Sequence, residues 1–242
     1  MEKRLGAAVG YALLAAMVAG QVASGLQARP VALTSVVVVL LAGCAAAFAA
    51  SAYGRRGAVA FACAVAVGYA AEWIGVRTGL PFGAYHYTGV LRPQIGGVPV
   101  IVALAWGGMG LAAHAVGAAA ARGVPRLVCG ALALTAWDLF LDPQMLRLDL
   151  WRWHEPGPYR GVPLGNFAGW LLVSLLLMAL IDRLAGARRP PAGLLVLYAV
   201  MAVMETVGFA AVFRPPDPLV AALGGGTMGL LAVLAWTRRW PR

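Results

Sequence analysis

Apolar residues fill eight long stretches of this chain, approximately 5–26, 31–53, 58–76, 99–121, 126–143, 166–185, 192–213 and 218–237, and the breaks between them carry arginine, proline and glycine. Each stretch approaches or exceeds the roughly 20 mostly apolar residues that a helix needs to cross a bilayer. The pattern predicts an all-α polytopic membrane fold of about eight transmembrane helices, with one integral membrane domain over residues 1–242. The small-residue runs Gly107-Gly108-Met109-Gly110 and Gly224-Gly225-Gly226-Thr227-Met228-Gly229 are expected to let helices approach closely, since lipid supplies no hydrophobic force to drive helix association.

Composition agrees with that reading. Hydrophobic residues make up 62% of the chain and charged residues only 12%, against about 25% charged in a soluble domain. The net charge of +10 does not indicate a nucleic-acid partner, because the basic residues are dispersed at helix ends and form no single patch. With both termini on one side, that side collects Lys3, Arg4, Arg55, Arg56, Arg122, Arg126, Arg183, Arg188, Arg189, Arg238, Arg239 and Arg242 out of 19 Lys and Arg. The excess marks a cytoplasmic face, so the chain is expected to be a multi-pass protein of the cell membrane with both termini cytoplasmic. The connections at about 77–98 and 144–165 then face outward. The basic start at Lys3 and Arg4 resembles a signal peptide, but the apolar run continues to about Leu26, longer than the usual cleaved segment, so the first helix is expected to be retained. Cys44, Cys63 and Cys129 are odd in number and scattered through apolar segments, which argues against a disulfide framework or a metal knuckle.

Candidate chemistry begins with the carboxylates. Glu72, Asp138 and Glu205 lie within apolar stretches and Asp142 at the edge of one, positions that cost about 2.5–3.5 kcal/mol each even on lenient scales. Glu72, Asp138 and Asp142 fall in the outward halves of their helices, and Glu205 lies about 12 Å below the outer end of its own. Three helices are therefore expected to aim carboxylates at one outer zone. Asp138 and Asp142, four residues apart, share one helix face. Two like charges in a desolvated place resist being charged together, and a carboxylic acid that keeps its proton can protonate an alkene.

Two aromatic clusters surround these acids. The first runs from Glu72 and Trp73 through Arg77, Phe82, Tyr85, His86 and Tyr87; the second runs from Trp137 through Pro143 to Arg152, Trp153, His154, Tyr159 and Asn166. Structural readings stand beside the chemical one. The aromatics could form an interfacial belt, and Arg147, Arg152 or Arg160 could clamp the aspartate pair as a buried ion pair. Asn166 could be a helix N-cap, and Glu205 could pair with an arginine on another helix. Asp149 and Glu155 read as solvated loop charges. His86, His114 and His154 are too scattered to suggest a metal site, and His114 reads as a polar packing residue.

At these clusters the chain resembles a family of carotenoid biosynthesis membrane proteins, the acyclic carotenoid hydratases typified by bisanhydrobacterioruberin hydratase. The resemblance rests on Glu72-Trp73-Ile74-Gly75, Thr78-Gly79-Leu80-Pro81-Phe82-Gly83, Tyr85-His86-Tyr87 and Gly97-Val98-Pro99 leading to Ala105-Trp106. It continues in Trp137-Asp138 through Asp142-Pro143, then Trp153, Tyr159, Gly161-Val162-Pro163, Asn166-Phe167 and Gly169-Trp170. Outside about residues 70–170 the likeness is chiefly hydropathy. It implies water addition to the terminal double bond of a linear carotenoid drawn from the bilayer, giving a tertiary alcohol, with membrane lipids and neighbouring carotenoid-biosynthesis enzymes as partners. No cofactor is implied, because hydration changes no overall oxidation state.

On that basis Asp138 is expected to donate the proton, Asp142 to partner it or orient water, and Glu72 to be the alternative acid or base, with Glu205 as a further catalytic candidate. Trp73, Trp106 and Trp137, with Phe82, Tyr85 and Tyr87, would shield and stabilise a cation, and Arg77, Arg152, His154, Tyr159 and Asn166 would give polar support. A carotenoid cyclase would share the protonation step. A membrane prenyltransferase would need Mg²⁺ and more acidic ligands than this one pair offers. A proton-coupled transporter could also place carboxylates in the membrane, although no inverted repeat is visible.

Overall fold

The computed structural model describes residues 2–27, 30–186 and 189–239. Arg188 and Arg242, which count toward the basic face in the sequence, lie outside the described residues, as does the side chain of Lys3. The helices are α1 (Glu2–Gly25), α2 (Val31–Tyr53), α3 (Arg55–Thr78), α4 (Val100–Ala120), α5 (Val124–Arg147), α6 (Leu164–Ala185), α7 (Ala192–Val207, continued by a π-turn over Gly208–Val212) and α8 (Pro218–Arg238). All eight are long and apolar enough to cross a membrane.

Two boundaries depart from the hydropathy reading for local reasons. Gly54, at a φ of +62°, joins α2 to α3 almost directly, so α3 begins at Arg55. Helix α5 continues through Pro143 to Arg147. A proline here lacks the N–H that would bond the carbonyl four residues back, and the freed Leu139 carbonyl instead accepts the Tyr159 hydroxyl at 2.9 Å.

Helices α3, α4, α5 and α6 pack into a closed four-helix group, and α7 packs on α8, α4, α2 and α1. Helix α4 is the most enclosed, and its glycines explain how. A Cβ on Gly107 would stand 2.5 Å from Val65, one on Gly108 would stand 3.1 Å from Leu41, and one on Gly110 would stand 2.9 Å from Leu177. The expected packing role of this run is met. In the second run Gly224 presses on Phe140 and Gly225 on Thr206, whereas Gly226 and Gly229 face open space.

The two long connections emerge at the same end of the four-helix group and form a small cover. Strand β1 (Tyr85–Tyr87) pairs antiparallel with β4 (Trp151–Trp153), matching Tyr85 with Trp153 and Tyr87 with Trp151. Strands β2 (Gln94–Ile95) and β3 (Val98–Pro99) make a second short ladder. Side chains alternate along a strand, so Tyr85, Tyr87, Trp151 and Trp153 share the inner face and His86 and Arg152 the outer.

Candidate functional site: a carboxyl chamber under an aromatic cover

Glu72 lies on the face of α3 where only small residues otherwise stand, Gly68 four residues before it and Gly75 three after. That face admits Trp106 of α4, whose Cβ would be 2.3 Å from a Cβ on Gly68, and the Tyr85 hydroxyl above Gly75. Glu72 is buried and accepts three hydrogen bonds, from Trp106 Nε1 at 2.8 Å, from the Tyr87 hydroxyl at 2.7 Å and from the Tyr85 hydroxyl. Burial, then the Glu72 charge beside them, pushes both phenols above their ordinary range, so they stay donors. A carboxylate offers about four acceptor positions, and one is left on Glu72.

The second centre joins α5 to α6. Asn166 Nδ2 donates to Asp138 Oδ2 at 2.7 Å and to Asp142 Oδ2. Asn166 is thus not the N-cap of α6: Pro163 holds that position, and Asn166 sits inside the first turn, facing α5. Asp138 is fully buried and its Oδ1 has no partner.

None of the three arginines weighed as a clamp bonds the pair. Arg152 is bound to Asp149 at 2.6 and 2.7 Å on the surface. Arg147 donates to the Pro215 carbonyl at 2.8 Å and to Asp217 at 3.1 Å, and Arg160 donates to Asp217 at 2.9 Å. Burial raises the Asp217 carboxyl, but the Arg160 hydrogen bond, the Val220 N–H and the Arg147 charge outweigh it and hold the group below its ordinary value. Asp217 also caps α8, so this trio ties the α5–α6 connection to the last helix.

Between the two centres lies a cavity of about 20 Å³, lined on its polar side by Glu72, Tyr85, Tyr87, Asp142 and Asn166. A cavity needs roughly 10–15 Å³ to hold one water. Trp151, Trp153, Phe82, Trp170, Val102 and Leu141 complete its wall. Trp170 stacks on Trp106 at 4.1 Å between centroids, and Trp137 meets the edge of Trp170 at 6.3 Å. Asp142 faces this chamber, whereas Asp138 stands behind it.

Several expected members fall elsewhere. Trp73 is 41% exposed, with Arg77 over its ring at 4.0 Å, and Arg77 also donates to the Gly96 carbonyl at 3.2 Å. His154 packs against His86 on the outer surface. Tyr159 acts on the α5 backbone and not on the chamber. His114, read as a packing residue, contacts Asp182 at 3.3 Å, and Arg126 bonds the same carboxylate.

Glu205 also departs from expectation. The four carboxyls do not form one cluster: Glu72, Asp138 and Asp142 converge, whereas Glu205 lines a separate cavity of about 220 Å³ between α1, α2, α5 and α7. Helix α7 packs outside the four-helix group, which is why its carboxyl does not reach the chamber. No arginine pairs with Glu205 among the described residues. Trp151, Trp153 and Trp170 belong to the wall without having been expected to act as site residues. Trp170 is one turn beyond Asn166, a spacing that places both on one face of α6.

The family described as carotenoid biosynthesis protein matches residues 33–230. The chain is 33% identical to the bisanhydrobacterioruberin hydratase of Haloarcula japonica over 134 residues, covering 53% of this chain and 45% of that protein. The aligned part is therefore less than half the length of that relative. No solved structure matches the chain.

Proposed function

Because this chain belongs to the carotenoid biosynthesis protein family, we propose that it is a hydro-lyase adding water across the terminal double bond of an acyclic forty- or fifty-carbon carotenoid. The observation that carries the reading is the pairing of two unlike carboxyl centres across a water-sized chamber. Asp142 and Asp138 are bridged by Asn166 on one side, and Glu72 on the other is surrounded by donors.

Two carboxyls tied to one amide group favour holding a single proton between them, because two charges so close repel in a place shielded from water. Asp142, which faces the chamber, is the proton donor in this scheme, and Asp138 is its partner. That order reverses the roles expected from sequence. The proton passes from the Asp142 carboxyl to the less substituted alkene carbon. The π electrons form the new C–H bond and leave a tertiary cation.

Aromatic faces at the wall stabilise that cation by about 2 kcal/mol or more where desolvated, a role supported by Trp170 and Trp153 lining the chamber. Water then forms the C–O bond and releases a proton to the open acceptor position of Glu72, which acts as general base. Return of that proton to the aspartate pair resets the site.

In this reading the chain sits in the cell membrane with its termini cytoplasmic and the chamber toward the outer face. Supporting this are Arg55, Arg56, Arg122, Arg126 and Arg183 at the helix ends away from the chamber, since basic residues gather on the cytoplasmic side. The substrate would come from the bilayer, after enzymes that build the linear polyene.

Expression in cells that accumulate a linear carotenoid, followed by mass spectrometry of extracted pigment, tests the reading. A gain of one water per modified end is expected. A cyclised product of unchanged mass, or no product from either chain length, would overturn it.

A further inference from the structure

Three cavities in the outer half of the molecule are joined by shared walls. The large one holding Glu205 shares Thr34, Val38, Leu141 and Met145 with a second of about 40 Å³. That second cavity shares Val102, Leu141 and Trp151 with the carboxyl chamber. Leu141 borders all three, one residue before Asp142.

We propose that this series is the route by which a linear isoprenoid hydrocarbon enters from the bilayer, with the cavity between α1, α2, α5 and α7 as its port and Leu141 at the junction with the chamber. The inference rests on the hydratase reading for its occupant.

Three observations support the assignment. The mouth of the port is rimmed by Val22, Leu26, Val207 and Val212, which are 53%, 83%, 47% and 37% exposed; such a rim suits acyl chains and not water. The interior is largely apolar and rich in methionine, with Met145, Met201 and Met204 on its walls beside the polar Gln21, Gln144 and Glu205. Thioether side chains adapt their shape and tolerate a flat conjugated chain sliding past. The port lies at the depth of the chamber, because it is built from the C-terminal ends of α1, α5 and α7 and the N-terminal part of α2. A substrate confined to the membrane can therefore bring its end to Asp142 without leaving the bilayer.

Pigment retention tests the port separately from turnover. The protein is purified into lipid nanodiscs from cells that accumulate a linear carotenoid, and bound polyene per protein is read by absorbance. The parent is expected to retain pigment, and Asp142→Asn to retain it equally while making no alcohol. Val38→Trp, which fills the wall between port and middle cavity, should lower retention at least tenfold. Val203→Trp, placed on the lipid-facing side of α7 where Val203 is 60% exposed, should leave it unchanged. Met204→Trp fills the port from the opposite wall and decides the matter should Val38→Trp fail to fold. Parental retention in a folded port variant, or no pigment in the parent, would overturn the route. Alcohol formed by Asp142→Asn would instead contradict the acid assignment and leave the port standing.

Discussion

At the residue scale, Asn166 is the hinge of the account, because one amide nitrogen serves both aspartates. Its removal in Asn166→Ala leaves each carboxyl without that donor, and an unsatisfied buried polar group costs about 1–3 kcal/mol. A lower melting temperature and a large loss of turnover with the same product are expected; turnover at the parental level would show that the aspartates need no bridge. The aspartate pair itself was legible from spacing, since i and i+4 share a helix face. The bridge was not, because an asparagine near a helix start fits a cap just as well and only packing of α6 on α5 separates the two. Trp73 teaches the reverse. As the immediate neighbour of Glu72 it sits about 100° around a helix of 3.6 residues per turn, so its absence from the chamber followed from geometry already present in the sequence.

Among the helices and their connections, small residues and the ion trio around Asp217 determine how the helices sit. A Cβ on Gly117 would fall 2.2 Å from the Arg126 carbonyl and 2.6 Å from the Gly130 nitrogen, both backbone atoms. Gly117→Ala must then push α4 from α5, and loss of folded protein or a much lower melting temperature is expected. Gly226→Ala meets nothing and should leave both unchanged. Glycine runs marked close packing in the sequence but could not say which glycine touches a neighbour.

The Asp217 trio carries a pH dependence. Its carboxyl is held below the ordinary 3.8, so the stability it contributes is complete above that value and is lost as pH falls through the lower folded value. Asp217→Asn should therefore melt lower than the parent at neutral pH, and the gap should close on strong acidification. A gap independent of pH would remove the ion trio from the account.

At the scale of the whole molecule, hydropathy was enough to find all eight spans, and the matching ends differ from expectation by only a few residues. The cover was not visible, because strands of two or three residues leave no periodic signal and form only when β1 and β4 meet across more than 60 residues of chain. The order in which helices pack was equally hidden, and that order separates Glu205 from the other acids.

The proposed orientation has a direct check in a variant lacking the native cysteines. A cysteine at His86 on the outer face of the cover should react with a membrane-impermeant thiol reagent in intact cells, and one at Arg56 should not. The opposite pattern would invert the topology.

In the proposed reaction an acid of this chain protonates the alkene and water is captured beside Glu72. This is tested most directly by running the reaction in deuterium oxide and reading the product by mass spectrometry and NMR. The parent protein should leave one non-exchangeable deuterium on the carbon next to the new tertiary alcohol, and Asp142→Asn should give no labelled alcohol. An alcohol without carbon-bound deuterium, or labelled product from Asp142→Asn at the parental rate, would contradict it.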